Sequence, residues 1–367
     1  MTPVDTSRYA PDFEIKIDGK KLDLFCEGVK LYVLSVSIKE TINQADSFEF
    51  TVAAHSHHLA AFPTGRELAC LDDERFDEGH DVEIRMGYVG NLALRFLGQI
   101  SANSSNFPVT GIPTLTVRGF SYYRRLAQKY RRRPFDSNTD SGIAKEIADE
   151  LKLDADVDPT SVKHSLVSTK NKHCAAILQE RAARINYEVA VKEKTLIFKK
   201  PTYIDTPSPT LPPLTWGQDL LSFQPNLSTY GIPSSVEVLS PQTAWGGDKE
   251  AIRSVCNTAE LTPKLGAKSG MAQAAKLGET KILLEDTLVT TPEEARAVAE
   301  AYCRRKMLDF IKASGSSIGN PRLTARQVIE LAGVGDRFSG PYYVTATTHK
   351  IDNSGYRTNF ECRRDGR

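Results

Sequence analysis

The sequence has no excess of either charge, no long apolar run and no paired cysteines, and each absence removes a class of function. Lysine and arginine number 47 against 46 aspartate and glutamate, a formal net charge of +1 over 367 residues. So even a balance gives no bulk electrostatic reason to bind nucleic acid or an anionic membrane, and any such role would need a local patch. No stretch of about 18 apolar residues occurs, so no transmembrane helix and no membrane partner are expected. The opening residues, MTPVDTSRYAPDFEIKIDG, lack the apolar core of a secretory signal, so the protein is expected to be made in the cytoplasm without Sec export. The six cysteines, Cys26, Cys70, Cys174, Cys256, Cys303 and Cys362, are far apart with no CxxC pair. In a chain this long they read as reduced, mostly buried thiols rather than a disulfide framework or a zinc site. GxSxG, HExxH, a P-loop and a GxGxxG following a strand are all missing, so no catalytic residue, cofactor or metal is assigned and the protein is not expected to be an enzyme.

What is there is alternation. Phe13, Ile15 and Ile17 are separated by charged residues and followed by the Asp18-Gly19 turn signal; Leu34, Val36 and Ile38 repeat the pattern, as do Phe48, Phe50 and Val52. Val82, Ile84 and Met86 lead through a Gly-Tyr-Val-Gly turn (Gly87 to Gly90) into Leu92, Leu94, Phe96 and Ile100, and Leu115 and Val117 close the series. Period-two segments divided by turns, without a strong helix, predict a closed or nearly closed antiparallel sheet.

After Phe120 the period changes. Ile143, Ile147 and Leu151 predict an amphipathic helix with Asp140 or Ser141 as N-cap; Ile177, Leu178, Ala182 and Ile185 predict a second helix over about 172–185. A hairpin, Tyr187 to Val191 with Thr195 to Phe198, completes a small α/β block. Five prolines between Pro201 and Pro213 predict an extended linker. Residues 241–280, polar and weakly patterned, predict long loops. Thr291-Pro292-Glu293-Glu294 is a capping box opening a helix to about Ile311, with Val298, Ala299 and Tyr302 inward. Strands follow at Val328 to Leu331 and Tyr342 to Ile351, then a strictly alternating one through Tyr356, Thr358, Phe360 and Cys362. The fold class is therefore mainly β with α+β: two tube-like antiparallel β-barrel modules and a small α/β middle domain. The expected division is 1–120 (first barrel), 121–200 (α/β domain), 201–255 (Pro-rich linker and β segment) and 256–367 (second barrel, with the helix at about 291–311).

The two β regions share a layout. VEIRMGYVG (Val82 to Gly90) precedes a long strand and a return strand, and VIELAGVG (Val328 to Gly335) precedes FSGPYYVTATTHKI and its return strand. Identity between them is low, and the pattern is open to duplication or to chance recurrence of strand and turn. If they are copies, three chains supply six barrels, the number needed to match a hexameric partner.

Three segments, in order across nearly the whole chain, carry a family resemblance. GYVGNLALRFLGQI (Gly87 to Ile100), LTWGQDLLSFQPNLSTYGIPSSVEV (Leu214 to Val238) and GNPRLTARQVIELAGVGDRFSGPYYVTATTHKIDNSGYRTNFECRR (Gly319 to Arg364) resemble segments of the phage late control gene D proteins. The chain is similar, too, to the hub portion of type VI secretion VgrG proteins. The resemblance implies a baseplate hub of a contractile tail-like particle, phage, bacteriocin or injection system. It implies a homotrimer that joins the hexameric tail tube to a trimeric spike, starts tube assembly and meets baseplate wedge proteins. Since the second β module runs to Arg367, the spike is expected to be a separate protein.

Arg124, Arg125, Lys129, Arg131, Arg132 and Arg133 form the chain's dense basic cluster, interleaved with Tyr122, Tyr123 and Tyr130. It is a candidate contact for an acidic partner face, the tape-measure protein or passing nucleic acid; the blander alternative is a solvated domain junction. Net neutrality argues against nucleic acid. His55, His57 and His58 lack a nearby cysteine or carboxylate to complete a metal shell and read as a polar loop. Asp72, Asp73 and Glu74 fit no EF-hand spacing and read as solvated, and His349 reads as a structural hydrogen-bonder within a strand. Two rival functions remain open at this stage, a peptidoglycan-cleaving tail enzyme, whose carboxylate pair need not be close in sequence, and a nucleic-acid-contacting module at residues 122–133.

Overall fold

The computed structural model describes residues 10–26, 29–55, 71–240, 251–267, 278–285 and 287–367. His57, His58 and Cys70 lie outside them, and the His55 side chain is likewise not described. The N-terminal β region comprises β1 (Pro11–Ile17), β2 (Lys20–Lys21), β3 (Phe25–Cys26), β4 (Val29–Thr41), β5 (Ser47–His55), β6 (Asp81–Tyr88), β7 (Asn91–Asn106) and β8 (Thr114–Ser121). Its principal strands lie antiparallel in the spatial order β4-β5-β8-β7-β6-β1. Alternation works as the sequence implies: Val36, Ile38, Phe48, Phe50, Val82, Ile84, Phe96 and Val117 all face one core. Each fully buried side chain of this size stabilises by about 1.5–3 kcal/mol. Leu34 breaks the pattern. It is exposed because the β4–β5 register shifts between Val33 and Ser35, and the bulge puts Leu31 and Val36 inward on either side of it.

The middle block contains α1 (Tyr123–Gln128), β9 (Phe135–Thr139), α2 (Asp140–Glu150), β10 (Asp154–Val157), β11 (Lys163–Val167), α3 (Cys174–Arg184), β12 (Glu188–Lys192) and β13 (Thr195–Lys199). Ile143, Ile147, Ile177 and Leu178 pack on Val189, Leu196 and Phe198 in a core of their own. The N-cap of α2 is Thr139, whose hydroxyl accepts from Gly142 N at 3.0 Å, rather than Asp140 or Ser141. Asp140 instead bonds to Arg181 on α3 and His164 on β11.

The remainder runs α4 (Thr202–Asp205), β14 (Leu214–Thr215), β15 (Leu220–Leu227), β16 (Ser235–Ser240), β17 (Ile252–Asn257), β18 (Lys281–Leu284), α5 (Pro292–Met307), β19 (Ile311–Ile318), β20 (Val328–Ala332), β21 (Gly340–Asp352) and β22 (Gly355–Arg364). Residues 201–255 thus supply β14 and β15 to the sheet of the C-terminal strands, and β16 to a separate β17-β16-β18 sheet covered by α5. The stretch 241–280, expected as loops, contains β17, whose Ile252 and Cys256 pack toward α5; tertiary pairing with β16 orders a sequence with little intrinsic pattern. Helix α5 stops at Met307, four residues early, because Ile311 is needed as the buried first residue of β19. Its cap follows the capping-box logic with one change. Thr291 accepts from Glu294 N at 3.1 Å, but the Glu294 carboxylate reaches Thr290 N rather than the cap residue's own N–H.

One relation unites both ends of the chain. In sequence order β1, β4, β5, β6, β7 and β8 correspond to β14, β15, β19, β20, β21 and β22. Their spatial orders, β4-β5-β8-β7-β6-β1 and β15-β19-β22-β21-β20-β14, are the same permutation. The one difference in direction is that β14 runs parallel to β20 whereas β1 runs antiparallel to β6. The halves are also fused: β21 pairs with β4, from Ala346 opposite Thr41 to Ile351 opposite Val36, making a single 14-stranded sheet.

The tightest point in the first core is Gly119 on β8, where an added Cβ would sit 2.0 Å from Gln99 O and 2.4 Å from the Phe48 ring. Gly119→Ala is expected to cost at least about 1–3 kcal/mol through displacement of Phe48 or of the β7–β8 ladder. Urea unfolding of the variant against wild type measures this.

Candidate functional site

Where the two β halves meet, polar side chains are buried in place of apolar ones. Glu40 lies near the end of β4, Arg95 on β7, Thr347 and His349 on β21, and Tyr356 and Thr358 on β22. Arg95 pairs with Glu40, both nearly covered, with side-chain exposures of 4% and 12%. The other Glu40 oxygen accepts from Ala325 N and Thr347 Oγ1, each at 3.2 Å. His349, wholly buried, lies 2.9 Å from Leu323 O through Nε2 and 2.8 Å from Tyr356 Oη through Nδ1, with Thr358 Oγ1 at 3.2 Å. Burial, then the adjacent Arg95 charge, holds the imidazole well below its ordinary pKa. It is therefore neutral, with Nε2 within reach of both Leu323 O, which can only accept, and, at 3.2 Å, Arg95 Nη2, which can only donate. Tyr88 adds another tie across the joint, donating to Gly319 O at 2.8 Å. This is the structural histidine that the strand context of His349 implies; its partners, spread over more than 250 residues of chain, are not legible from spacing.

Beside this network is a small cleft lined by Glu40, Asp46, Arg95, Ser121, Lys192 and Arg326, where the two halves meet the β12–β13 turn of the middle block. Asp46 keeps some surface exposure by area, but its carboxyl is packed round by protein. That desolvation, reinforced by the Glu40 charge, pushes its pKa up to about 7 against the opposing pull of Arg326 and Arg95. The middle block is held to the first half by Asn43, in left-handed backbone at φ 57° in the β4–β5 turn. Its side-chain oxygen accepts from Val189 N at 2.8 Å and its carbonyl from Gln179 Nε2 at 2.6 Å. To the second half the middle block is tied by Tyr343, which donates to buried Glu188 at 2.6 Å.

A third polar joint fastens α5 to the middle block. Arg181 Nε donates to Asp140 at 2.5 Å, His164 lies between Asp140 and Glu294, and Arg184 pairs with Glu294 at 2.8 Å. Burial opposes ionisation of Asp140, but hydrogen bonds from His164 and Arg181 outweigh it and leave its pKa below the usual value. Every carboxylate here is engaged by a cation, an arrangement suited to bracing rather than proton transfer. Among the described residues no group of three or more His, Cys, Asp or Glu side chains is placed to hold a metal ion. Asp73 caps a short turn and pairs with Arg75, while Asp72 and Glu74 are exposed. Cys174, Cys303 and Cys362 are buried free thiols and Cys256 is half-buried. No helix among the described residues is long and apolar enough to cross a membrane.

The basic cluster does not come together as one surface. Arg131 is only 11% exposed; it pairs with Glu146 and Glu150 of α2 and lies 3.9 Å over the Phe135 ring. Arg125 stacks 4.5 Å over Tyr122, and Arg124 is half-buried on α1. Lys129, Arg132 and Arg133 remain exposed.

Two outcomes are expected from these joints. Arg95→Ala strands Glu40 unpaired and should cost about 3–5 kcal/mol, whereas Arg95→Met with Glu40→Leu should cost less, as denaturant unfolding will measure. For Asp46 the folded pKa of about 7 exceeds the ordinary 3.8. The folded state then holds a proton that the unfolded chain has lost, so stability falls as pH rises from about 4 to about 7 and levels off above. Asp46→Asn should remove that slope, a relative gain of up to about 4 kcal/mol between pH 4 and pH 8.

The fold is shared with known phage tail proteins along nearly the whole chain. The 43 kDa tail protein of prophage MuSo2 from Shewanella oneidensis superposes with a TM-score of 0.72 at 11% identity, covering 97% of this chain and 99% of that one. A tail protein from Neisseria meningitidis MC58 gives 0.67 at 12% identity, with 97% of both chains covered. The E. coli c3393 protein, a component of the type VI secretion system, gives 0.56 at 10% identity, covering 95% of this chain and 76% of that one. No curated protein matches by sequence. A family model described as the Alg8 N-terminal domain matches residues 8–353, nearly the whole chain, and by that match the chain belongs to this family.

Proposed function

We propose that this chain is a non-enzymatic hub subunit of a contractile phage-tail-like particle, of the late control gene D type. In this reading it is a trimer seated between a hexameric tail tube and a trimeric spike, and it starts tube assembly. The observation that carries the reading is the repeated six-strand permutation fused into one sheet through β4 and β21. A chain with two equivalent β modules presents six of them as a trimer, which matches a six-fold ring to a three-fold spike by geometry alone. The fold shared with tail proteins over nearly the full chain supports the same conclusion. So does the chemistry of the joints, whose charges are paired and whose hydrogen bonds hold the modules in fixed relation, as a part that must stay intact under contraction requires. The assembled particle, rather than the free cytoplasm, is where the protein would act.

Subunit contacts would come from sheet augmentation and apolar burial over an obligate interface, typically more than about 2,000 Å². Mass photometry at micromolar concentration is expected to show a three-chain species, alone or on mixing with tube or spike protein. A strict monomer that co-assembles with neither would overturn the reading.

A further inference from the structure

The exposed part of the basic cluster has neighbours that sequence proximity does not reveal. The 129–133 loop lies against the 170–173 loop: Arg131 N donates to Lys172 O at 3.1 Å, Cys174 N donates to Lys129 O at 2.8 Å, and Tyr130 forms a β-bridge with His173. The Tyr130 and His173 rings contact with centroids 3.8 Å apart. Together the loops present Lys129, Arg132, Arg133 and Lys170, all exposed and none in an ion pair among the described residues. Lys170 and Asn171 both sit in left-handed backbone, at φ 45° and 55°. That conformation comes readily to asparagine but is unfavourable for lysine.

We propose that these two loops form one docking face for an acidic polypeptide segment of a partner protein. This inference does not depend on the hub reading. Charge complementarity identifies the occupant, and its surroundings separate a polypeptide from a nucleic acid. Carboxylates flank the face, Glu146 and Glu150 of α2 held by Arg131 on one side and Glu180 of α3 held by Lys172 on the other. Interspersed with these ion pairs, the free cations are separate points rather than a continuous basic track, which suits the discrete charges of a peptide better than a continuous polyphosphate. Stacking is also poorly served, since one face of the Tyr130 ring is taken by His173. Within this arrangement Arg131 is a positioning residue that supports the loop, and the contacts fall to Lys129, Arg132, Arg133 and Lys170.

Fluorescence anisotropy of the full chain tests this, using a labelled peptide of about 12 residues in which glutamate alternates with serine and a single-stranded oligonucleotide of equal charge. Both are titrated at ~50 mM and ~150 mM salt, since screening weakens exposed charge contacts over this range. The peptide is expected to bind more tightly than the oligonucleotide and to lose affinity at the higher salt. Arg132→Glu with Arg133→Glu and Lys170→Glu should weaken it by about tenfold or more, leaving the melting temperature near wild type. Arg131→Gln should lower the melting temperature and leave peptide affinity at low temperature within about twofold. Should the triple variant fail to fold, Arg132→Gln with Lys170→Gln gives a milder reading of the same loss. Peptide affinity unchanged in the triple variant or in Arg132→Gln with Lys170→Gln, tighter binding of the oligonucleotide, or no peptide binding at the lower salt would each overturn the proposal.

Discussion

Strand β21 uses one edge twice, pairing with β20 through Gly340 to Tyr343 and with β4 through Ala346 to Ile351, while β22 follows it along the other edge. A register shift between Val344 and Ala346 separates the two uses. The consequence is that one hairpin feeds two cores: Tyr342, Val344, Phe360 and Cys362 pack in the second half, and Ile351 and Tyr356 pack in the first. Neither half can shift against the other without breaking backbone hydrogen bonds and exposing apolar surface at both ends of this hairpin. The buried Glu40, Arg95 and His349 network lies along the same seam. An apolar seam would slide more easily among near-equivalent packings, whereas directional bonds to Leu323 O, Ala325 N and Thr347 admit one register.

The other joints follow the same physical plan. Asn43 holds the middle block by lending its side-chain oxygen to Val189 N and its carbonyl to Gln179, and Glu188 and Tyr343 share a buried hydrogen bond. Asp140, His164, Arg181, Arg184 and Glu294 clamp α5 against the same block. Buried charge is a weak source of stability, because desolvation offsets most of the attraction. It is a good source of fixed geometry. For a part proposed to set the symmetry of an assembly, geometry is the property that matters.

Much of the local structure could be read from the chain. Val82, Ile84, Phe96 and Val117 alternate inward as their period implies, and Thr358, Phe360 and Cys362 do so in β22. The pattern failed where tertiary pairing overrode it: at the bulge that exposes Leu34, at β17, whose order comes from β16, and at the end of α5, where burial of Ile311 selected strand over helix. The basic cluster illustrates the limit for sites. Six cations adjacent in sequence suggested one patch, but Arg131 turns inward to two α2 carboxylates, while Lys170, nearly forty residues on, joins the exposed set.

By itself the sequence determined the alternating strands of the first β region and of β20 to β22, where the amphipathic helices of the middle block lie and where α5 begins, because periodicity and capping depend on neighbours within a few residues. Neutral composition likewise set the expectation of discrete rather than bulk electrostatics. Only the tertiary structure decided that the two β regions repeat one six-strand permutation and merge into a single sheet, and that Glu40, Arg95 and His349 meet there. Strand pairing and buried polar contact join residues hundreds of positions apart. At that separation no periodicity survives, and the partner is selected by which backbone edges and polar groups would otherwise remain unsatisfied.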